Sequence, residues 1–168
     1  MTILGPVLRG AAAGAIGTVA MDLLWYSRYR RGGGASPFSE WEFTREVRSW
    51  EDAPAPGQVG RKIIEAVSGD DVPVERAPAL SNVMHWAYGV SSTVAYGVLA
   101  RALNPRRPLW HGPAFGAAVW SSDYVALPLA GVYKPIWKYD AWTLYEDLSA
   151  HVVFGTAGDA ALRLLPGR

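Results

Sequence analysis

Four apolar segments, each close to the length a helix needs to cross a bilayer, constrain this chain more than any other feature. They run over about 3–26, 80–103, 109–132 and 142–165. About 20 apolar residues suffice for a helix to cross about 30 Å of hydrocarbon. In lipid every backbone polar group must be bonded within the protein, which leaves helices and closed barrels as the spanning forms. The pattern predicts an all-α membrane protein, a four-transmembrane-helix bundle with a long, partly helical first connector. A single integral membrane domain is expected over 1–168. The first segment continues through Trp25 without a clear cleavage site, so a retained span is expected rather than a signal peptide.

Composition sharpens that expectation. Charged residues make up 18% of the chain, against about 25% in a soluble domain. The 8 Trp and 8 Tyr suit the aromatic belts of a membrane interface. A net charge of +1 gives no electrostatic basis for nucleic-acid binding. The absence of cysteine excludes disulfides, thiolate nucleophiles and Cys-based zinc sites. No phosphate-cradling loop, Gly-x-Ser-x-Gly or dinucleotide fingerprint occurs, so no cofactor and no enzyme class is expected. The expected partners are the lipid bilayer and either a second copy or another membrane protein.

The connector over 27–79 differs from its flanks. Gly32, Gly33 and Gly34 form a flexible joint. Ser36 to Glu51 reads as an amphipathic helix, broken by Pro54 and Pro56, and Gln58 to Val67 as a second short helix. Such helices can lie on the membrane or cap the bundle. The two later connectors, around Asn104–Pro108 and Lys134–Asp140, are short, which makes consecutive segments antiparallel neighbours. Arg9, Arg101, Arg106, Arg107, Arg163 and Arg168 fall on one side, and Arg28, Arg30, Arg31, Lys134 and Lys138 on the other. The count is six against five; the short Arg106–Arg107 turn, facing inward, favours both termini in the cytoplasm, and the cluster Arg28, Arg30, Arg31 argues the other way.

Gly10-x-x-x-Gly14 and Gly112-x-x-x-Gly116 are small-residue faces that let helix backbones approach closely. Contacts inside the bundle are expected from them, with a homodimer face as the alternative. Pro128 is expected to kink the third segment near Asp123. Asp22, His85, Asp123, Glu146, Asp147 and His151 interrupt the apolar segments at a common depth. Ionisable groups there face a protein interior or a wet cavity and are functional candidates by default. Asp147 and His151, four apart, share a helix face. A carboxylate and an imidazole so placed can relay a proton, or His85 and His151 can hold a metal if other segments add ligands. His111, beside Trp110, reads as an interface residue. Asp159 is expected to pair with an arginine such as Arg9 or Arg101.

Leu109-Trp110-x-Gly112-x-x-x-Gly116-Ala117, Pro128-Leu129-x-Gly131, Pro135-Ile136-Trp137, then Trp142, Glu146 and His151, together resemble the YagU-like family of small bacterial inner-membrane proteins. The resemblance covers about 80–165, and His85 before an aromatic-rich segment fits it. It implies a cytoplasmic-membrane location and adds weight to His85, Glu146 and His151. It supplies no substrate; a link to survival in acid has been attributed to the family. Lys134-Pro135-Ile136-Trp137 also looks like the Lys-Pro-x-Trp stretch of translocator-type proteins, but those carry it near the start of five helices, so that likeness is set aside.

The sequence thus points first to an accessory or structural membrane subunit with a buried polar cluster. Proton-coupled transport or permeation through that cluster is the second reading, and a membrane-embedded metal or ligand site the third.

Overall fold

The computed structural model describes residues 4–43, 47–103 and 108–165. Its elements are helical: α1 (Leu4–Arg31), α2 (Phe38–Phe43), α3 (Ala55–Ser68), α4 (Ala77–Leu103), α5 (His111–Leu129) and α6 (Ala141–Leu164), with short 3-10 turns at Val74–Arg76 and Ile136–Lys138. The four long helices α1, α4, α5 and α6 fall on the four apolar segments. The first runs five residues past its expected end, because nothing before Gly32 stops it. Arg28, Arg30 and Arg31 occupy its last turn, where cations suit the helix dipole.

The boundaries have identifiable causes. Asp140 caps α6, accepting from the Thr143 amide at 2.9 Å, and satisfies one of the donors a helix start leaves free. Pro128 lies in the last turn of α5, which ends at Leu129; the chain turns away at Gly131, with φ +66°. In the connector, Pro54 caps α3 and Pro56 sits in its first turn, where a missing N–H is harmless. The two prolines therefore start a helix, which begins three residues before the expected Gln58. The first expected connector helix is shorter than the sequence suggested, Phe38–Phe43. Its middle residues 44–46, like Arg106, Arg107 and Arg168 of the orientation argument, lie outside the described residues.

α1 packs against both α4 and α6, α5 packs on α6, and α3 lies along α4. Glycines set these distances. A Cβ on Gly10 would stand 2.8 Å from the Val94 Cα, and one on Gly14 would stand 2.7 Å from the Val90 Cα, both on α4. A Cβ on Gly112 would stand 3.0 Å from the Gly155 carbonyl oxygen, and one on Gly116 would run into the His151 carbonyl, both on α6. Both small-residue motifs are therefore used up inside the chain, which leaves neither free as a homodimer face. α4 and α5 close the bundle through the stacked Tyr96 and Phe115 rings, 4.2 Å between centroids.

Among the described residues one helix, α1, is long and apolar enough to cross a membrane, with a mean hydropathy of 1.4 in its best window. The four-span expectation thus reaches one helix by this measure. In α4, α5 and α6 the His, Asp, Ser, Thr, Tyr and Trp residues dilute the hydropathy. The outer face of α1 is nonetheless apolar and open, with Leu8, Ile16, Val19 and Leu23 exposed.

Candidate functional site

Asp22, His85, Asp123, Asp147 and His151 gather toward one end of the bundle, on α1, α4, α5 and α6. Asp22, at 4% exposure, is among the most buried acids. It sits on the inner face of α1, one turn past Thr18, because the small residues before it draw α1 tightly against its neighbours. His85 of α4 meets it, Nε2 to Oδ1, at 2.8 Å. An ionised carboxylate only accepts, so Nε2 carries the proton. The other carboxylate oxygen, Oδ2, is buried without a partner.

A second cluster joins α5 and α6. His151 Nδ1 donates to the Asp147 carbonyl oxygen at 2.9 Å, and the Asp147 carboxylate lies 3.4 Å from the same nitrogen. The other ring nitrogen, Nε2, faces Asp123 Oδ2 at 3.3 Å. The Tyr88 hydroxyl of α4 donates to Asp123 Oδ1 at 2.7 Å. Because Nδ1 must donate to a carbonyl, one proton is left to be held between His151 Nε2 and the Asp123 carboxylate. Imidazolium with carboxylate and imidazole with carboxylic acid both satisfy the contact. The arrangement is an imidazole–carboxylate contact, the kind of pair that can take up or pass on a proton.

Two cavities adjoin these clusters. The inner one, about 410 Å³, is walled by Met21, Phe154 and Val119 together with Tyr88, Asp123 and His151. The outer one, about 290 Å³, is walled by Asp22, Glu42, Ser81 and Asn82 with Trp25 and Trp41. His85, Trp25 and Pro56 border both. The connector supplies the cover: α2 brings Trp41 and Glu42, and the start of α3 brings Pro56. Its helices therefore cap the bundle, one of the two arrangements expected of them. Gly57 and Gly60 let α3 lie close on Ser81, Leu80 and Met84.

Glu42 accepts from the Asn82 amide and the Trp86 indole, both at 3.2 Å. Burial, and then the nearby Asp22 charge, hold its carboxyl above the usual range. Tyr133, in the loop after α5, has its hydroxyl pushed up by burial and by the charges of Asp147 and Asp123.

Of the six residues picked from the sequence, Asp22 and His85 form one pair and Asp123, Asp147 and His151 the other cluster. Glu146 stands apart. Its carbonyl accepts from Arg28 at 2.8 Å and its carboxylate lies 4.0 Å from the same guanidinium, while Arg28 also donates to Ser149 at 2.7 Å. Glu146 belongs to a clamp between α1 and α6, because one residue of helical rotation turns it away from the face that Asp147 and His151 share. His85 and His151 are each engaged by carboxylates of their own, and among the described residues no three His, Asp or Glu side chains converge to hold a metal. Asp159 accepts from Tyr96 at 2.8 Å and from Arg163 at 2.7 Å. Arg9, expected as a partner for it, donates to the Leu162 carbonyl. His111 opens α5 with its ring 4.3 Å from Trp110.

Tyr88, Glu42, Trp41 and Ser81 were not picked out. Tyr88 carried a signal, three residues after His85 on the same helix face. Glu42 carried none, since only the folding back of the connector brings it over Asp22.

Comparison of the chain with protein-family models, with curated proteins and with solved structures finds no match.

Proposed function

We propose that this chain is a multi-pass protein of the bacterial cytoplasmic membrane, its four long helices spanning the bilayer, and that it exchanges protons through the Asp123–His151 and Asp22–His85 pairs beside a solute-sized cavity. The single observation that carries this reading is that each of the four long helices, and α2 of the connector, brings an ionisable side chain to the walls of two adjoining cavities. A buried carboxylate costs several kcal/mol unless it is paired, so groups kept only for packing are expected to be fully satisfied. Asp159 meets that expectation and Asp22 does not. The accessory-subunit reading, in which polar groups merely fix helices, therefore suits Asp159 and Arg28 better than the cavity groups.

The exposed apolar residues of α1 support the lipid setting, as do Val98 and Leu99 on α4 and Val125 and Leu129 on α5. The resemblance to the YagU-like family, to which a link with acid survival is attributed, agrees with a proton-handling protein of the cytoplasmic membrane. Both termini are taken to lie in the cytoplasm.

The test is proton flux in vesicles that hold a pH-sensitive dye. Purified protein is expected to speed the decay of an imposed pH gradient above that of protein-free vesicles. Asp123→Asn and His151→Gln are each expected to slow it by about tenfold, the size of one lost charge-assisted contact. Wild-type decay no faster than that of empty vesicles removes the proton-exchange reading. A chain that stays folded and dispersed in buffer without detergent removes the membrane premise.

A further inference from the structure

We propose that the outer cavity, between α1, α4 and the connector, is a binding site for a small protonated primary amine with an apolar body. The proposal adds a ligand class and does not rest on proton flux.

Three independent features select that chemistry. The first is charge. Asp22 and Glu42 face the cavity from α1 and α2, and among the described residues no Lys or Arg lines it; His85 is the one other titratable group, and it is already bound to Asp22. Two carboxylates on the wall of one cavity repel each other, and a cation between them offsets that repulsion.

The second is an unfilled acceptor. Asp22 is 4% exposed and His85 satisfies only its Oδ1, so Oδ2 is left without a partner. Unsatisfied buried polar atoms cost about 1–3 kcal/mol each. An ammonium brings three N–H donors and no acceptor, the complement of this set. Glu42 is held in place by Asn82 and Trp86, and its raised carboxyl range reflects burial and the Asp22 charge that such a cation would offset.

The third is the wall. Trp25 and Trp41 line the space, and indole rings attract cations and pack against apolar carbon. A cavity of about 290 Å³ admits a short alkyl or single-ring amine rather than a large amphiphile. The adjoining inner cavity, with its Met21 and Phe154 wall, gives an apolar tail room to continue.

Titration calorimetry of the purified chain in a neutral detergent at pH 7 tests this, with n-butylammonium as the probe. Saturable binding is expected for n-butylammonium. Two comparators, 1-butanol without the charge and tetramethylammonium without N–H donors, are each expected to bind at least about tenfold more weakly. Glu42→Gln lies on a short helix outside the bundle, so it is expected to fold and to weaken n-butylammonium binding by about tenfold. Asp22→Asn provides a second reading of the same loss, with its unfolding transition recorded alongside. No saturable binding by the wild type overturns the proposal. So does equal affinity for either comparator, or unchanged affinity in a folded Glu42→Gln chain. Amine binding without proton flux sinks the proposed function and leaves this inference standing; flux without amine binding does the reverse.

Discussion

The two ends of the bundle are built from the same helices and solve opposite problems. At one end, Gly10, Gly14, Gly112 and Gly155 bring backbones into contact around Ala13, Ala161 and Leu162. The one buried acid there, Asp159, is saturated by Tyr96 and Arg163. At the other end larger side chains, Met21, Val119 and Phe154, pack into a second core with Ala150 and also wall the inner cavity, and Asp22 is left half satisfied. Close packing around a well-paired acid makes a rigid anchor, although Arg9 Nε there is buried without a partner. A cavity beside an incompletely paired acid makes room for a ligand or a mobile proton. A fold can hold the second because the first stabilises it, and the contrast can be tested by the same kind of change at each end.

The largest effect is expected from adding volume. Gly112→Leu drives a side chain into the α6 backbone at Gly155 and Thr156, and the helices must separate to accept it. Denaturant unfolding in detergent is expected to show a loss of about 3 kcal/mol or more. Ala126→Leu, on the cavity wall, meets open space, and its effect is expected to stay below about 1 kcal/mol. Equal losses would erase the distinction between the ends.

Removing a carboxylate comes next. Asp159→Ala leaves Arg163 and Tyr96 without their acceptor, and a loss of about 2–3 kcal/mol is expected. Asp123→Ala, whose partners border a cavity that water can enter, is expected to lose about 1 kcal/mol. A larger loss at Asp123 than at Asp159 would make the cavity groups structural.

pH separates the ends more gently. The Glu42 carboxyl lies above its ordinary range because it is buried near Asp22, so its protonated form favours the fold. Its contribution is full below the unfolded carboxylate value and is lost as pH rises through the raised folded one. Wild type measured against Glu42→Gln is therefore expected to lose relative stability between mildly acid and neutral pH. A difference that is flat with pH would show Glu42 to be solvated.

The smallest effect is expected at Asp140. Its cap to Thr143 holds its carboxyl below the ordinary value. That contribution is present above the unfolded value and fades as pH falls through the folded one. Melting of Asp140→Asn and wild type is expected to converge in acid. Because Asp140 is exposed, the gap at neutral pH is small, and a persistent gap in acid would point to a packing role instead.

Much of the fold was legible because its signals are local. Apolar runs of helical length and the short proline-bearing connectors around Asn104–Pro108 and Lys134–Asp140 each act within a few residues. The small-residue spacing in α1 and α5 announced close helix contact, though not which helix would fill it. Asp147 and His151 could be paired on paper because four residues make one helical turn. Glu146 was misread because a neighbour in sequence points about 100° away on a helix. The connector was read least well. Pro54 and Pro56 look like breakers until their place at a helix start is known, and proline acts oppositely in the two settings.

By itself, then, the sequence determined that this chain makes long apolar helices interrupted by acids and imidazoles, since both hydrophobic length and helical spacing are written along one strand. Only the tertiary structure decided which interruptions are paired and which are left open. The pairings Asp22 with His85, Asp123 with His151 and Tyr88, and the cover of Glu42 over Asp22 join residues from separate helices, and their distances depend on how closely glycines let the backbones approach. That closeness is a property of surfaces meeting, and no periodicity in a single helix encodes it.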